Sequence, residues 1–447
     1  MTDHLLKQVE QVPLFKDKQW RWAPEPFSLS KAQSKSLQGL GHKLANFQQA
    51  CHQLYLQSIQ DPNGIYGWIA PVIDTGKPAE LIAWNHQQVL ANPKLGARVI
   101  RPDLLLQDVD KAQFALSEID SVPGGIGVLA AMNQVYSQLG FRVTGGESGM
   151  LEGMLSLGLG SNKGLNKGSE IWVSDESEDY RPEMQWLAEQ LNKLDATKSA
   201  VKCIRAEEGA LETLKHEQVV YRFFEMFDYA NIPAAKQAVE HGHDAPNIVA
   251  PMQYHLEEKL WLALFKLPSL RNFWKQHLRE SHRQDLEGLI PTSWWFKQHD
   301  LPVTASLPYL DIVDWQELKS WSQTQRQLVL KISGFNELAW GGRGVHIGHD
   351  MSQQEWAEVI DKALADDESQ WLLQQFESAC TLEQNYYNED GEKHGEISTM
   401  EGRVRLCPYY FTNEQGKTEL KGCLATVVPA DKKKIHGMSV AVMSPCS

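Results

Sequence analysis

The chain is poor in several features that would settle its class at once. Its 447 residues include six cysteines, at 51, 203, 380, 407, 423 and 446, with no Cys-x-x-Cys spacing. Zinc binding and a disulfide framework are therefore poorly supported. No apolar run approaches the roughly 18–20 residues that span a bilayer. The opening segment MTDHLLKQVEQVPLFKDKQW has no basic stretch followed by an apolar one, so no signal peptide is read there. Positive charge is also scarce: 43 Lys and Arg stand against 57 Asp and Glu, a formal −14. That balance argues against nucleic acid or anionic membrane as a partner, although a few local cationic side chains can still receive a small anion. Walker A, Gly-x-Gly-x-x-Gly and Gly-x-Ser-x-Gly motifs are missing, as are internal repeats and low-complexity linkers. The expected compartment is the cytoplasm.

What remains is a globular composition, 42% hydrophobic and 22% charged, long enough for two or three packed lobes. Residues 1–95 read as mainly helical, with an apolar rhythm through Leu37–Ile59 and a strand expected at Gly67–Ile73. Residues 96–168 carry a strand pair, Ala97–Leu106 and Gln113–Ile119, then a helix from Gly127 to Leu139. Residues 169–254 alternate strands (170–174, 200–205, 219–224) with a helix at 183–194, which favours a parallel sheet. The last region, 255–447, opens with a helical stretch to 287 and returns to strands at 328–332, 344–347, 371–376, 404–411 and 423–428. Fifteen tryptophans are expected mostly in cores, with Trp294 and Trp295 the best placed to line a cleft.

Two segments carry the chemistry. In the first, 328–345, an apolar strand ends in Lys331, and a turn containing Gly334, Gly341, Gly342 and Gly344 precedes another strand. Glycines let backbone N–H groups approach phosphate oxygens, and a strand-end lysine adds a point charge. A plain hairpin with a glycine turn is the alternative. In the second, 115–125, Glu118 and Asp120 alternate onto one strand face, where two carboxylates repel unless a cation separates them. Magnesium takes one or two carboxylates with phosphate oxygens. A solvated edge strand is the alternative there, and an acid–base pair is a third reading.

Together these segments resemble eukaryotic-type glutathione synthetase and its circularly permuted ATP-grasp relatives, the glutathionylspermidine synthase-like ligases. The likeness rests on Arg101-Pro102-Asp103, Glu118-Ile119-Asp120-Ser121, Gly124-Gly125, Tyr221-Arg222, Leu256–Leu260, Lys331 with its loop, Trp371–Phe376 and the closing segment 422–445, in that order. It implies an α+β architecture with nucleotide held between two sheet-containing lobes, an α/β substrate lobe and a helical N-terminal region. It further implies ATP and magnesium as cofactors, and small-molecule carboxylate and amine substrates, of which an amino acid or peptide is expected from the family. By the same resemblance Glu118, Asp120 and Glu337 would hold magnesium, with Asp120 where the family has Asn. Lys259, Lys331, Gly341, Gly342, Arg343, Gly344, Gln374 and Phe376 would meet the nucleotide. Arg101, Ser121 and Arg222 would face substrate, with Arg101 and Arg222 in catalytic roles. Related enzymes often pair as homodimers. One departure stands out: the family's arginine and lysine on the closing strand are replaced here by Leu424-Ala425-Thr426-Val427, with Lys432, Lys433 and Lys434 nearby.

The expected activity is ATP-dependent carboxylate–amine ligation through an acyl phosphate. Two other readings stay open: a non-catalytic nucleotide-binding protein of this fold, and a peptide- or sugar-binding α/β protein. His346 with His349, His241 with His243, and Gly145–Gly149 are weaker candidates. The histidine pairs are expected to be structural, and the glycine segment either caps a helix or binds an anion at its N-terminus.

Overall fold

The computed structural model describes residues 2–94, 96–161, 168–194, 196, 198–215, 218–245, 247–297, 307, 309–339, 342–388, 395–432, 434–435 and 440–447. In chain order its strands begin with β1 (Arg21–Trp22), β2 (Val99–Asp108) and β3 (Gln113–Asp120). Next come β4 (Ser169–Val173), β5 (Val201–Arg205), β6 (Val220–Phe223), β7 (Ile248–Val249) and β8 (Ser293–Phe296). Then follow β9 (Leu328–Ile332), β10 (Val345–Ile347) and β11 (Trp371–Gln375). The last are β12 (Thr381–Tyr387), β13 (Ile397–Thr412), β14 (Thr418–Pro429) and β15 (Val442–Pro445). Internal contacts divide the chain into two units. One comprises Met1–Gln48, Leu95–Met252 and Ser378–Ser447; the other comprises Gln49–Lys94 and Gln253–Glu377. Both are mixtures of helix and strand, as expected of an α+β chain.

The first unit holds two sheets. The larger runs β1-β15-β14-β13-β2-β3, with β12 also paired to β13. Its long strands alternate apolar residues onto the face that meets the helix Ile126–Gln138. Leu129, Met132, Tyr409, Phe411 and Leu424 share that core. Two prolines sit in central strands, where a missing N–H normally excludes them. Paired residues of β13 and β2 are 405–406 with 104–105 and 410–411 with 99–100. The same register sets Pro408 opposite Pro102, so the ladder is interrupted just where Arg101, Asp103, Cys407 and Tyr409 project. The smaller sheet, β5-β4-β6-β7, is wholly parallel, as the strand–helix alternation predicts.

The second unit is built on the antiparallel sheet β10-β9-β11-β8. Alternation on β9 sends Leu328, Leu330 and Ile332 into a core with Phe296, Trp356 and Leu373. Val329 and Lys331 take the opposite face.

Two sequence expectations are corrected. The strand expected at 67–73 is a helix, Ile69–Ile73, with Ile69, Ala70 and Ile73 buried at helical spacing. Pro71 fits there because the first turn needs no N–H from it. The helical stretch 255–287 divides into three helices, Trp261–Lys266, Arg271–His277 and Glu280–Leu289, with Pro268 opening a short 3-10 turn after the first. Lys259 therefore sits in a turn after the 3-10 turn Tyr254–Leu256, not on a helix.

Candidate functional site

In the first unit the polar residues of β2, β3 and β13 converge on one sheet face. Register pairs Arg101 with Asp120 and Asp103 with Glu118 across β2 and β3, so four charged side chains share that face. Arg101 bridges its neighbours: Nε lies 3.2 Å from Asp103 and Nη2 lies 3.1 Å from Asp120. Asp103 also accepts from Arg405 Nη1 at 2.7 Å and from the Cys407 thiol at 3.3 Å. Burial raises the Asp120 pKa; the Arg101 guanidinium opposes that rise and Glu118 adds to it. One Asp120 oxygen accepts from the Val122 N–H at 2.8 Å and begins the turn that follows.

That turn explains its glycines by close approach. A Cβ on Gly124 would sit 2.3 Å from the Tyr180 ring, and one on Gly125 would sit 2.5 Å from the Tyr409 hydroxyl. Gly125 also has φ +86, a region L side chains avoid. Tyr409 donates to the Gly124 carbonyl at 2.7 Å. The buried carboxylate of Glu183 accepts from Gly125 N at 2.8 Å and Val128 N at 3.2 Å. It thereby closes the N-terminus of the helix Ile126–Gln138 with a negative charge.

Several buried polar atoms around this face meet no acceptor or donor among the described residues: Arg101 Nε as a hydrogen bond, Ser121 Oγ, Tyr221 OH, Arg403 Nε, Arg405 Nε and Thr426 Oγ1. Arg222 is placed differently. Its guanidinium donates to the carbonyls of Ala250 at 2.7 Å, Phe224 at 2.5 Å and Pro251 at 2.8 Å, holding the ends of β6 and β7.

In the second unit, Lys331 is buried and donates to Gln374 Oε1 at 2.8 Å. The Gln374 amide in turn donates to Ser293 Oγ at 3.1 Å. Trp295 lies beside them on the same strand face, with its ring stacked on Trp68 at 6.0 Å; Trp294 packs into the core instead. Lys259 donates to the carbonyl of Ala339 at 2.5 Å, which ties it to the end of the 3-10 turn Glu337–Ala339. Glu337 and Arg343 are exposed. Gly341 lies outside the described residues, as does Lys433. Gly342 has φ +74 and open space where a Cβ would stand, whereas a Cβ on Gly344 would strike Ile332 at 2.5 Å. Phe376 gives its N–H to Gln327 and sets its ring against His349, 4.5 Å away.

A buried polar network in this unit has no counterpart in the sequence reading. Lys77 Nζ lies 2.8 Å from Glu258, and Ser333 donates to the other Glu258 oxygen. Asp74 Oδ1 accepts from Tyr55 at 2.5 Å and from Tyr254 at 2.7 Å, while His86 meets Oδ2 at 2.9 Å. His255 stacks on Tyr55 and reaches His52 at 3.0 Å. The sequence signal for this network was faint, because its members are scattered from 52 to 333.

The weaker candidates resolve into packing. His346 stands against Trp371 and His349 against Phe376, while His241 bonds its own helix at Gln237. Ser148 precedes the helix Gly149–Ser156 and donates to Glu152 instead of capping the backbone. A groove of about 430 Å³, lined by Phe27, Gln33, Leu106, Val109, Leu382 and Ile397, contains none of the site residues.

No family model matches the chain, and no curated protein matches it in sequence. Solved structures do. A glutathione synthetase-like effector from Globodera pallida, in its apo form, aligns over 100% of this chain and 96% of its own, at 10% identity and a TM-score of 0.53. The shared feature is the fold. A Methylobacillus flagellatus protein provisionally described as a gamma-glutamylcysteine synthetase covers 79% of this chain and 80% of its own at 10% identity, with a TM-score of 0.40, too low to argue a shared fold. The glutathione synthetase-like fold is thus matched along the whole chain, while so low an identity leaves the chemistry to the residues.

The cofactors that the resemblance implies would be met by few of those residues. Glu118 and Asp120 offer hard oxygen donors on one face, and each Asp120 oxygen keeps a lone pair beyond the bond shown. Among the described residues no group of three His, Cys, Asp or Glu side chains is arranged to hold a metal. Lys331, Lys259 and the open left-handed Gly342 fit phosphate oxygens. In the described residues no helix is long and apolar enough to cross a membrane.

Proposed function

We propose that the chain is an ATP- and magnesium-dependent ligase that activates a carboxylate and joins it to an amine. The reading is carried by one observation: a full-length glutathione synthetase-like fold in which Arg101 is held between Asp103 and Asp120. An arginine fixed by two carboxylates is preorganised, so it offers charge to a reacting carboxylate or phosphoryl group without reorganising.

Bound magnesium nucleotide supplies the phosphoryl group that turns the carboxylate into an acyl phosphate. The chain's own residues do the rest. Lys331 and Lys259 offset phosphate charge as point cations, and Gly342 leaves room for backbone approach. Glu118 and Asp120 would hold the metal, as two carboxylates on one strand face. Ser121, beside Asp120, presents a buried hydroxyl with an unfilled hydrogen bond. Arg222, with three carbonyls to hold, orders the strand ends. No nucleophilic side chain is required, in keeping with cysteines whose thiols burial pushes up, to about 11 at Cys203 and about 12 at Cys407.

Hydroxylamine intercepts acyl phosphates whatever the natural amine. Incubation with ATP, magnesium and a panel of amino acids and short peptides is expected to yield a hydroxamate and ADP with some of them. Nucleotide binding without ADP from any of them would favour the non-catalytic reading.

A further inference from the structure

Among the described residues, the face that carries Arg101 has more cationic donors than the acceptors there use. Asp103 takes one N–H from Arg405 and shares Arg101 with Asp120. That leaves Arg405 Nε, buried, with no acceptor among the described residues. Arg403 lies two residues earlier on β13 and so projects to the same side, about 7 Å along the strand. Its Nε is likewise buried and without an acceptor. Directly across from Arg405 in the register of β13 and β14 stands Thr426, 0% exposed, its hydroxyl also unmatched. Opposed residues of an antiparallel pair share a face. Two guanidinium groups and a buried hydroxyl thus point one way, each with a bond not met among the described residues.

Leaving such donors unmet is costly, more so for charged groups than neutral ones. A planar guanidinium matches a carboxylate as a two-point fork.

We infer that Arg403, Arg405 and Thr426 form the specificity subsite for a carboxylate carried by the substrate, distinct from the one that reacts. This rests on the ligase reading, and it makes the substrate at least a dicarboxylate: one group to be activated, one to be anchored. An acidic amino acid or a peptide with a free carboxylate has that form. A monocarboxylate without a second anion does not.

The test uses the full chain, malonate through adipate together with the twenty amino acids as probes, and inorganic phosphate as a separate arm. Binding is read by calorimetry without nucleotide. Some dicarboxylates or acidic amino acids are expected to bind. Arg403→Gln and Arg405→Gln should each weaken that binding tenfold or more, and Thr426→Val by less. Arg403→Gln is the more secure variant, since no bond from the Arg403 side chain is seen among the described residues. Nucleotide-dependent thermal stabilisation, followed in the Arg403→Gln protein, should be unchanged. Its absence from the parent chain as well would count against the ligase reading and not against the subsite. Equal probe binding by parent and variants, binding of phosphate alone, or binding of no carboxylate would each overturn the subsite.

Discussion

The ammonium of Lys77 lies 2.8 Å from Oε1 of Glu258, and the two side chains are only 2% and 1% exposed. Lys77 also donates to the Ile73 carbonyl at 2.6 Å and lies over the rings of Tyr254 and Phe335. Removing one partner strands a buried charge, which costs about 3–5 kcal/mol, while replacing both with apolar groups is often near neutral. Lys77→Met and Glu258→Leu should each lower the urea midpoint strongly, and the double variant should recover much of the loss. Additive losses in a double-mutant cycle would show that the pair is not coupled.

Acid should loosen the same unit through its histidines. Burial lowers the pKa of His52 to about 4 and holds His255 well below its ordinary value, the neighbouring His52 adding to the effect. Between the ordinary histidine pKa near 6.5 and the folded values, the unfolded chain binds more protons than the folded one, so stability falls as pH falls through that window. For His52 the loss from pH 7 to pH 4 amounts to about 3 kcal/mol. A His52→Gln variant should show a flatter dependence of unfolding free energy on pH between 6.5 and 4. An unchanged slope would mean that His52 is readily protonated in the folded state.

Glu183 closes the helix that follows Gly124-Gly125. Glu183→Ala leaves two N–H groups unmet, at about 1–3 kcal/mol each, and Glu183→Gln should recover part by keeping an acceptor. Chemical denaturation of the two variants orders them; equal losses would assign the effect to packing.

How far the sequence speaks depends on the kind of signal. Leu328–Ile332 is read with its observed bounds because a run apolar but for Lys331 meets a sharp glycine-rich stop. The parallel sheet of β4–β7 follows from alternation. The helix Ile69–Ile73 was beyond reach, since a short apolar run has no period to separate helix from strand. Arg403 and Arg405 were passed over for a related reason. The sequence places the start of that strand at Val404, whereas β13 begins at Ile397, and only the register with β14 shows that both arginines face Thr426's side. The Lys77–Glu258 pair joins residues 181 apart, a separation no local pattern records. Glu118 and Asp120 were legible as a pair because alternation alone puts them on one face, whereas the arginine between Asp120 and Asp103 required the cross-strand register.

The central claim is a magnesium nucleotide site, and thermal unfolding tests it most directly. A non-hydrolysable ATP analogue with magnesium, at about 100 times its dissociation constant, should stabilise the chain by roughly 2.7 kcal/mol. The shift should require magnesium, shrink in Glu118→Gln, and vanish or nearly so in Lys331→Met, a replacement that keeps the length of the buried side chain. A parent chain whose unfolding temperature does not move at saturating nucleotide and magnesium would contradict the account.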